Sequence, residues 1–424
     1  MNNKKGITSV RSLALLVLAG EAIFLLPFVI PRIFRPSMLN VFDVSNFELG
    51  YFFSMYGLIA MASYFFGGPL ADRFHSKTLI GWALLATSAG GFYLATIPPA
   101  STLPFVYGYW GFTTICLFWS ALIRATREWG GDDNQGNAFG WLEGGRGAVG
   151  AILGSIGLLL FAAEAGTDSD ISGEMRKESF QYILILGSVI TAIAGILVWI
   201  FLPIRKSTHI GLKMKNFYVV MTNPSVWLLS VIIICAYVGY KVTDDFTLFA
   251  NEVMGFSEKE SASLGAFMLW MRPVFAVFAG WLANKYKGVT IMLLCFVFSA
   301  LGGLAIYYDF LSGGLLALNF TFILMGIYGL RGIYFSVMKE ASIPMVYTGT
   351  AVGLISFLGY TPDIFMSPTI GYLLDNYPGP LGHRLVFLSL SVFAIIGALA
   401  TLLFQRIQRG DQRKTWPVSS SIKD

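Results

Sequence analysis

The chain has 424 residues, 55% of them hydrophobic and only 12% charged. Soluble domains carry about 25% charged residues, so this composition cannot clothe a globular core in a solvated shell, and an ordinary soluble enzyme is excluded. The net charge of +5 does not make the chain a nucleic-acid binder, because its basic residues sit at the ends of apolar runs.

Crossing the hydrocarbon takes about 20 apolar residues per helix. Hydropathy marks twelve such segments, at 12–31, 49–71, 79–97, 103–123, 138–163 and 181–203, then at 226–250, 261–283, 289–308, 315–338, 346–374 and 385–404. All are expected to be helices, since an open sheet leaves its backbone unsatisfied in lipid. The predicted organisation is a six-helix half over 1–203, a polar loop over 204–223 and a second six-helix half over 224–424. Lys4, Lys5 and the run from Leu13 to Gly20 resemble a signal peptide. Apolar residues resume at Ile23, however, and an uncleaved first helix is the expectation.

Lys and Arg are concentrated on one side of these spans. Nineteen fall with the N-terminus, among them Lys4, Arg11, Arg73, Lys77, Arg124, Lys285 and Arg406, against six on the other side: Arg32, Arg35, Arg176, Lys177, Lys259 and Arg384. The positive-inside rule then predicts that both termini are cytoplasmic. Cys116, Cys235 and Cys295 lie within apolar runs, which predicts buried free thiols. His75, His209 and His383 are far apart in polar connections, so no metal site and no cofactor are expected.

An internal repeat is visible. Gly68-Pro69-Leu70-Ala71-Asp72-Arg73-Phe74 follows the second span and Gly280-Trp281-Leu282-Ala283-Asn284-Lys285-Tyr286 follows the eighth; from 68 to 280 the offset is 212 residues, half the chain. The same offset carries Arg127-Glu128 onto Lys339-Glu340, and one residue later in register Gly136-Asn137-Ala138-Phe139-Gly140 matches Gly349-Thr350-Ala351-Val352-Gly353. The fold class that follows is an all-α integral membrane protein with twelve transmembrane helices in two pseudo-symmetric six-helix halves.

Over its whole length the chain resembles a major facilitator superfamily transporter of the bacterial type, a fold of this repeat architecture. Gly68, Leu70, Ala71, Asp72, Arg73 and Lys77 match the superfamily's motif between helices two and three; His75 and Ser76 depart from it. The resemblance implies a secondary carrier of a small solute in a bacterial inner membrane, working as a monomer by alternating access. It implies further that Asp72 braces the inner helix ends, with the N-terminus of helix eleven and Arg124 or Arg127 as partners. A carboxylate at a helix N-terminus gains about 0.3–1 kcal/mol. Subfamily marks are few, and the organic-anion or sugar-phosphate branch is the nearest in character.

Ionisable residues at mid-bilayer cost about 2.5–3.5 kcal/mol each on insertion scales, so they are kept for pairing or for function. Glu21 lies about 14 Å into helix one. Glu143 and Arg146 stand three apart on one face of helix five. Arg272 is midway along helix eight and Arg331 in the inner half of helix ten, with no acidic residue at a similar depth on either helix. Three arginines against two glutamates predict an electropositive cavity, and a guanidinium fork suits carboxylate or phosphate. The substrate-binding expectation is therefore a small organic anion held by Arg146, Arg272 and Arg331, with Trp141 and Tyr360 lining the cavity. Glu21 or Glu143 is the expected carrier of a coupling proton, since a carboxylate in low dielectric binds protons more readily. The competing reading of Glu143 and Arg146 is a mutual ion pair that locks helix five. Lys241 and Asp363 are close enough to water to snorkel or to pair with each other.

Small residues in helix five, including Gly150 and Gly154, allow close sliding contacts, and Pro27, Pro31, Pro362 and Pro368 permit bending. An inner gate is expected from Asp72 and Arg73 together with cross-half pairs between Arg127 or Glu128 and Lys339 or Glu340. The alternatives are a carrier of a neutral solute (a sugar, amino acid, nucleoside or drug) with structural arginines, and a non-transporting sensor, for which the 20 residues from Gln405 make a short tail. An intramembrane enzyme would need a nucleophile–base pair or metal ligands, and the sequence offers neither.

Overall fold

The computed structural model describes residues 2–130, 135–164, 173–203, 218, 220–334 and 354–410, and the regular elements among them are all helical. In chain order the long helices are α1 (Val10–Ile33), α2 (Asn46–Gly67), α3 (Ser76–Ala95), α4 (Ala100–Thr126), α5 (Gln135–Glu164), α6 (Gly173–Phe201), α7 (Pro224–Glu252), α8 (Glu258–Ala283), α9 (Gly288–Tyr307), α10 (Gly313–Ile333), α11 (Pro362–Asn376) and α12 (Pro380–Gln408). Ten of these, all but α5 and α11, are long and apolar enough among the described residues to cross a membrane. Large apolar side chains such as Phe65, Phe105, Leu159 and Val277 remain exposed, as a surface solvated by lipid requires. The three cysteines are buried and free.

Several helices are interrupted where the sequence removes a backbone donor or packs tightly. In α1 a π-helical turn, Leu25–Val29, surrounds Pro27, which has no N–H to give. A π-helical stretch, Phe112–Trp119, interrupts α4, and a 3₁₀ turn, Thr243–Asp245, interrupts α7. Such interruptions cluster at functional positions because they re-aim side chains within an otherwise rigid rod.

The 212-residue repeat extends to local geometry that hydropathy does not report. Asp43 and Gly255 both adopt left-handed backbone, with φ 50° and 72°, and so do Ile97 and Asp309, with φ 51° and 58°. Ser45 and Glu48 form a capping box at the start of α2. Ser257 and Glu260 form its counterpart before α8, the Ser257 N–H donating to Glu260 Oε2 at 2.8 Å and the Glu260 N–H to Ser257 Oγ at 3.3 Å. Each box satisfies two orphan backbone donors reciprocally. Both members of every pair are 212 apart, so the duplication fixes helix entries as well as helix number.

The chain divides into two compact units. One comprises Met1–His209, Lys241–Val274 and Asp363–Val386; the other comprises Ile210–Tyr240, Phe275–Pro362 and Phe387–Asp424. In the first unit an apolar core joins α1, α2, α4 and α6 through Leu26, Phe53, Trp110 and Leu184, and reaches Ala262 and Leu269 of α8. In the second, Ile233, Phe296, Leu330 and Phe404 knit α7, α9, α10 and α12 together. The first unit thus holds Lys241–Val274, from α7 and α8, and Asp363–Val386, from α11 and the start of α12, together with the first six helices. Gly50 and Gly57 of α2 face the backbone of Ser367 and Asp363 in α11, and Gly147 of α5 faces Pro273 of α8.

Candidate functional site: buried charges in the helical core

Glu21 is the hub of the first unit's core. It is 1% exposed and receives two arginines from different helices: Arg272 Nη1 of α8 at 3.1 Å and Arg146 Nε of α5 at 3.4 Å. Arg146 Nε also donates to the Gly20 carbonyl at 2.9 Å, and Arg146 Nη1 donates to Glu143 Oε1 at 2.6 Å. The Glu143 side chain is half exposed. Gly150 makes this approach possible, since a Cβ there would lie 2.6 Å from Glu21 Oε1. Two glutamates therefore balance two guanidinium groups. The sequence shows no acidic residue at a similar depth on α8 itself, and the partner of Arg272 comes from α1, 251 positions away. The Glu143–Arg146 pair read as an alternative is present, and it is one arm of a larger network.

Arg331 is in a different situation. Its Nε and Nη1 are buried and have no hydrogen-bond partner among the described residues. The guanidinium carbon lies 3.9 Å from the Tyr240 ring centroid and 5.7 Å from that of Tyr237. Tyr360 stands edge-on to Tyr237 with centroids 4.9 Å apart, and its hydroxyl lies 3.3 Å from that of Tyr334. All five residues belong to the second unit. Ring faces attract the cation without neutralising it, so the charge keeps its capacity for an anion. Tyr360 thus belongs to the aromatic group around Arg331, whereas Trp141 is 66% exposed.

A third group in the first unit was legible only in part: the pairing of Lys241 with Asp363 was one reading of the sequence, and it is present, whereas Arg32 and Asp244 were not singled out. Arg32 Nε binds Asp244 Oδ1 at 2.6 Å, and Lys241 Nζ lies 2.9 Å from Asp244 Oδ2 and 3.6 Å from Asp363 Oδ1. Arg35 Nη2 donates to Asn46 Oδ1 at 2.9 Å. The Lys241 ammonium also lies 4.7 Å from the Phe53 ring centroid and 5.1 Å from that of Phe28. These contacts tie α1 and α2 to α7 and α11. His383, expected in a polar connection, is instead fully buried in the first turn of α12. The repeat offered a signal for the central pair: Arg32 and Asp244 are 212 apart, so they occupy equivalent positions of α1 and α7.

The residues assigned to an inner gate are seen only in part. Arg124 Nε pairs with Glu128 Oε1 at 2.9 Å one turn along its own helix, and Arg124 Nη1 donates to the Ala71 carbonyl within the repeated motif. Arg73 is exposed beside Phe74. The side chains of Asp72 and Arg127 are not described, and Lys339 and Glu340 lie outside the described residues.

Comparisons with known proteins agree on one fold. Residues 13–362 match the Major Facilitator Superfamily. The inner membrane protein YqcE of Escherichia coli (strain K12) is 26% identical, over 94% of this chain and 96% of that protein. The inner membrane protein YihN of the same organism is 24% identical over 95% and 96%. Among solved structures, a bacterial homolog of the human lysosomal transporter Spinster superposes with a TM-score of 0.71 at 16% identity, over 97% of this chain and 99% of that one. The nucleoside transporter NupG gives 0.68 at 15% identity over 94% and 99%.

Proposed function

Because this chain belongs to the Major Facilitator Superfamily, and is therefore a multi-pass membrane transporter and not an enzyme, we propose that its solute is a small organic anion carried by secondary active transport. The observation that carries this reading is Arg331: a buried guanidinium with two unpartnered nitrogens, set among the tyrosines 237, 240, 334 and 360. A carboxylate or phosphate meets the planar fork with two parallel hydrogen bonds, and tyrosine hydroxyls supply further donors.

The Glu21 network supports a link to protons. While Glu21 is ionised, its charge holds Arg146 and Arg272, and both guanidinium groups are committed. A proton on Glu21 releases Arg272 and leaves Arg146 held by Glu143 alone among the carboxylates, so Arg272 becomes available to an anion only when a proton has been taken up. This is the logic of symport, in which each ligand favours binding of the other. Glu143, half exposed and bonded to Arg146, is the second carboxylate through which a proton can act.

Alternating access follows from rocking of the repeats. The Arg32–Asp244–Lys241–Asp363 cluster fits a gate at the end opposite the termini, closed in this state. The positive-inside distribution makes that end the outer face of a cytoplasmic membrane, with both termini inside. Asp72, Arg73, Arg124, Arg127, Glu128, Lys339 and Glu340 remain the proposed inner gate, and the carrier is taken to act as a monomer.

The pairing of Arg146 and Arg272 favours a second reading, a neutral-solute carrier whose arginines are structural. The two readings part at Arg331. In proteoliposomes, a carboxylate or phosphate solute is taken up by the wild type under an inward proton gradient, and uptake fails in Arg331→Ala. Uptake of a nucleoside or sugar that is indifferent to Arg331→Ala establishes the second reading instead.

A further inference from the structure

His383 opens α12 with both ring nitrogens facing carboxylates: Nδ1 lies 2.9 Å from Asp245 Oδ2 and Nε2 lies 3.1 Å from Glu252 Oε2. A carboxylate oxygen only accepts, and a neutral imidazole has one donor nitrogen and one acceptor. Both contacts are hydrogen bonds only if the cluster holds one proton beyond a neutral ring and two carboxylates. That proton resides on the ring as imidazolium or on one carboxyl group.

The site is enclosed but reachable. The ring is fully buried, with Phe249 edge-on at 5.4 Å. The Glu252 side chain is 41% exposed and gives a proton its way in. Among the described residues the charged groups facing the ring are Asp245 and Glu252, both from α7. Asp245 is the last residue of the 3₁₀ turn Thr243–Asp245. The residue before it, Asp244, receives Arg32 and Lys241. One short turn therefore faces His383 on one side and the closing charges on the other.

We infer that His383, Asp245 and Glu252 form a proton-binding site that holds the α7 turn in place and so sets whether Asp244 closes on Arg32. With the proton bound, the ring clamps Asp245 and the turn presents Asp244 to Arg32. When the proton leaves, the ring keeps one N–H for two carboxylates, so one nitrogen presents a lone pair to a carboxylate oxygen, the two-point clamp on α7 is lost, and the turn is freed. The inference rests on reading the Arg32–Asp244 cluster as a gate, but not on the solute being an anion.

The test is gate accessibility, which needs no solute. In full-length protein in nanodiscs, with Cys116, Cys235 and Cys295 replaced by alanine, Ser37→Cys serves as reporter. Ser37 is 1% exposed and bonded to Glu258 Oε2 at 2.9 Å. Its labelling rate with a membrane-impermeant maleimide is divided at each pH by the rate for denatured protein, which removes the pH dependence of the thiol itself. The expected result is a rise of about tenfold, equivalent to about 1.4 kcal/mol, on passing from low to high pH. The rise disappears in His383→Gln and moves to lower pH in Glu252→Gln, where one of the two carboxylates that hold the proton is gone. A flat wild-type profile, or the same rise in His383→Gln, overturns the inference. Should His383→Gln fail to fold, an unmoved midpoint in Glu252→Gln overturns it equally, whatever the uptake experiments show about anions.

Discussion

Glu21 shows how one buried carboxylate organises several helices. Removing one partner of a buried ion pair costs about 3–5 kcal/mol, because the other charge stays buried and uncompensated. Glu21→Ala leaves the Arg272 guanidinium in that position and takes from Arg146 one of its two carboxylate partners. It is expected to lower the unfolding temperature of the detergent-solubilised protein sharply, whereas Glu21→Gln, which keeps the volume and one hydrogen-bonding oxygen, destabilises less. In transport, Glu21→Gln abolishes proton-driven accumulation and preserves solute exchange; unchanged accumulation removes Glu21 from the coupling role. The charges themselves were legible in the sequence, because an ionisable residue inside an apolar run stands out. Their partners were not: Glu21 and Arg272 meet across 251 positions, and no spacing rule reaches that far. His383 was misread for the same reason, since its burial depends on Asp245 and Glu252 of another helix.

At the level of elements, the closest helix contacts are made where glycine replaces a side chain. A Cβ at Gly50 of α2 would collide with the Ser367 carbonyl of α11, and one at Gly154 of α5 would lie 2.8 Å from Leu269 of α8 and 2.9 Å from Ile33 of α1. Such contacts draw on van der Waals packing between small residues, which in lipid takes the place of a hydrophobic driving force. Gly50→Val is therefore expected to hold α2 and α11 apart while leaving the charged clusters intact. The maleimide rate at Ser37→Cys then rises at every pH and uptake falls; a rate equal to that of the parent contradicts this role for α2. The glycine pattern of α5 and the helix-bending prolines were readable beforehand. The π-helical stretch of α4 and the 3₁₀ turn of α7 were not, because hydropathy is nearly blind to one extra or missing residue per turn.

Across the whole molecule the duplication is the organising fact. It was visible in sequence as a motif recurring after 212 residues, and it reappears in capping boxes, in left-handed residues, and in the Arg32–Asp244 pair. Where equivalent positions of a repeat meet, charges of opposite sign are exchangeable in principle. Arg32→Asp and Asp244→Arg are each expected to reduce uptake more than tenfold, equivalent to about 1.4 kcal/mol or more. The double exchange recovers much of it, and a double variant no better than either single one shows that the pair does not act as a unit. The fold, the number of spans and the family could be read from the chain because lipid restricts backbone choice so severely. The solute class could not be read in this way. Counting three arginines against two glutamates predicts one positive charge in excess; the structure places two of the arginines around Glu21 and leaves two nitrogens of Arg331 without a hydrogen-bond partner among the described residues.

That remaining charge can be tested without any knowledge of transport direction. Thermal unfolding of the purified protein is followed against a panel of carboxylates, phosphorylated sugars, neutral sugars, amino acids and nucleosides. The expected result is that a carboxylate or phosphate raises the unfolding temperature of the wild type and fails to do so in Arg331→Gln. Stabilisation by a neutral solute, undiminished in Arg331→Gln, contradicts the account.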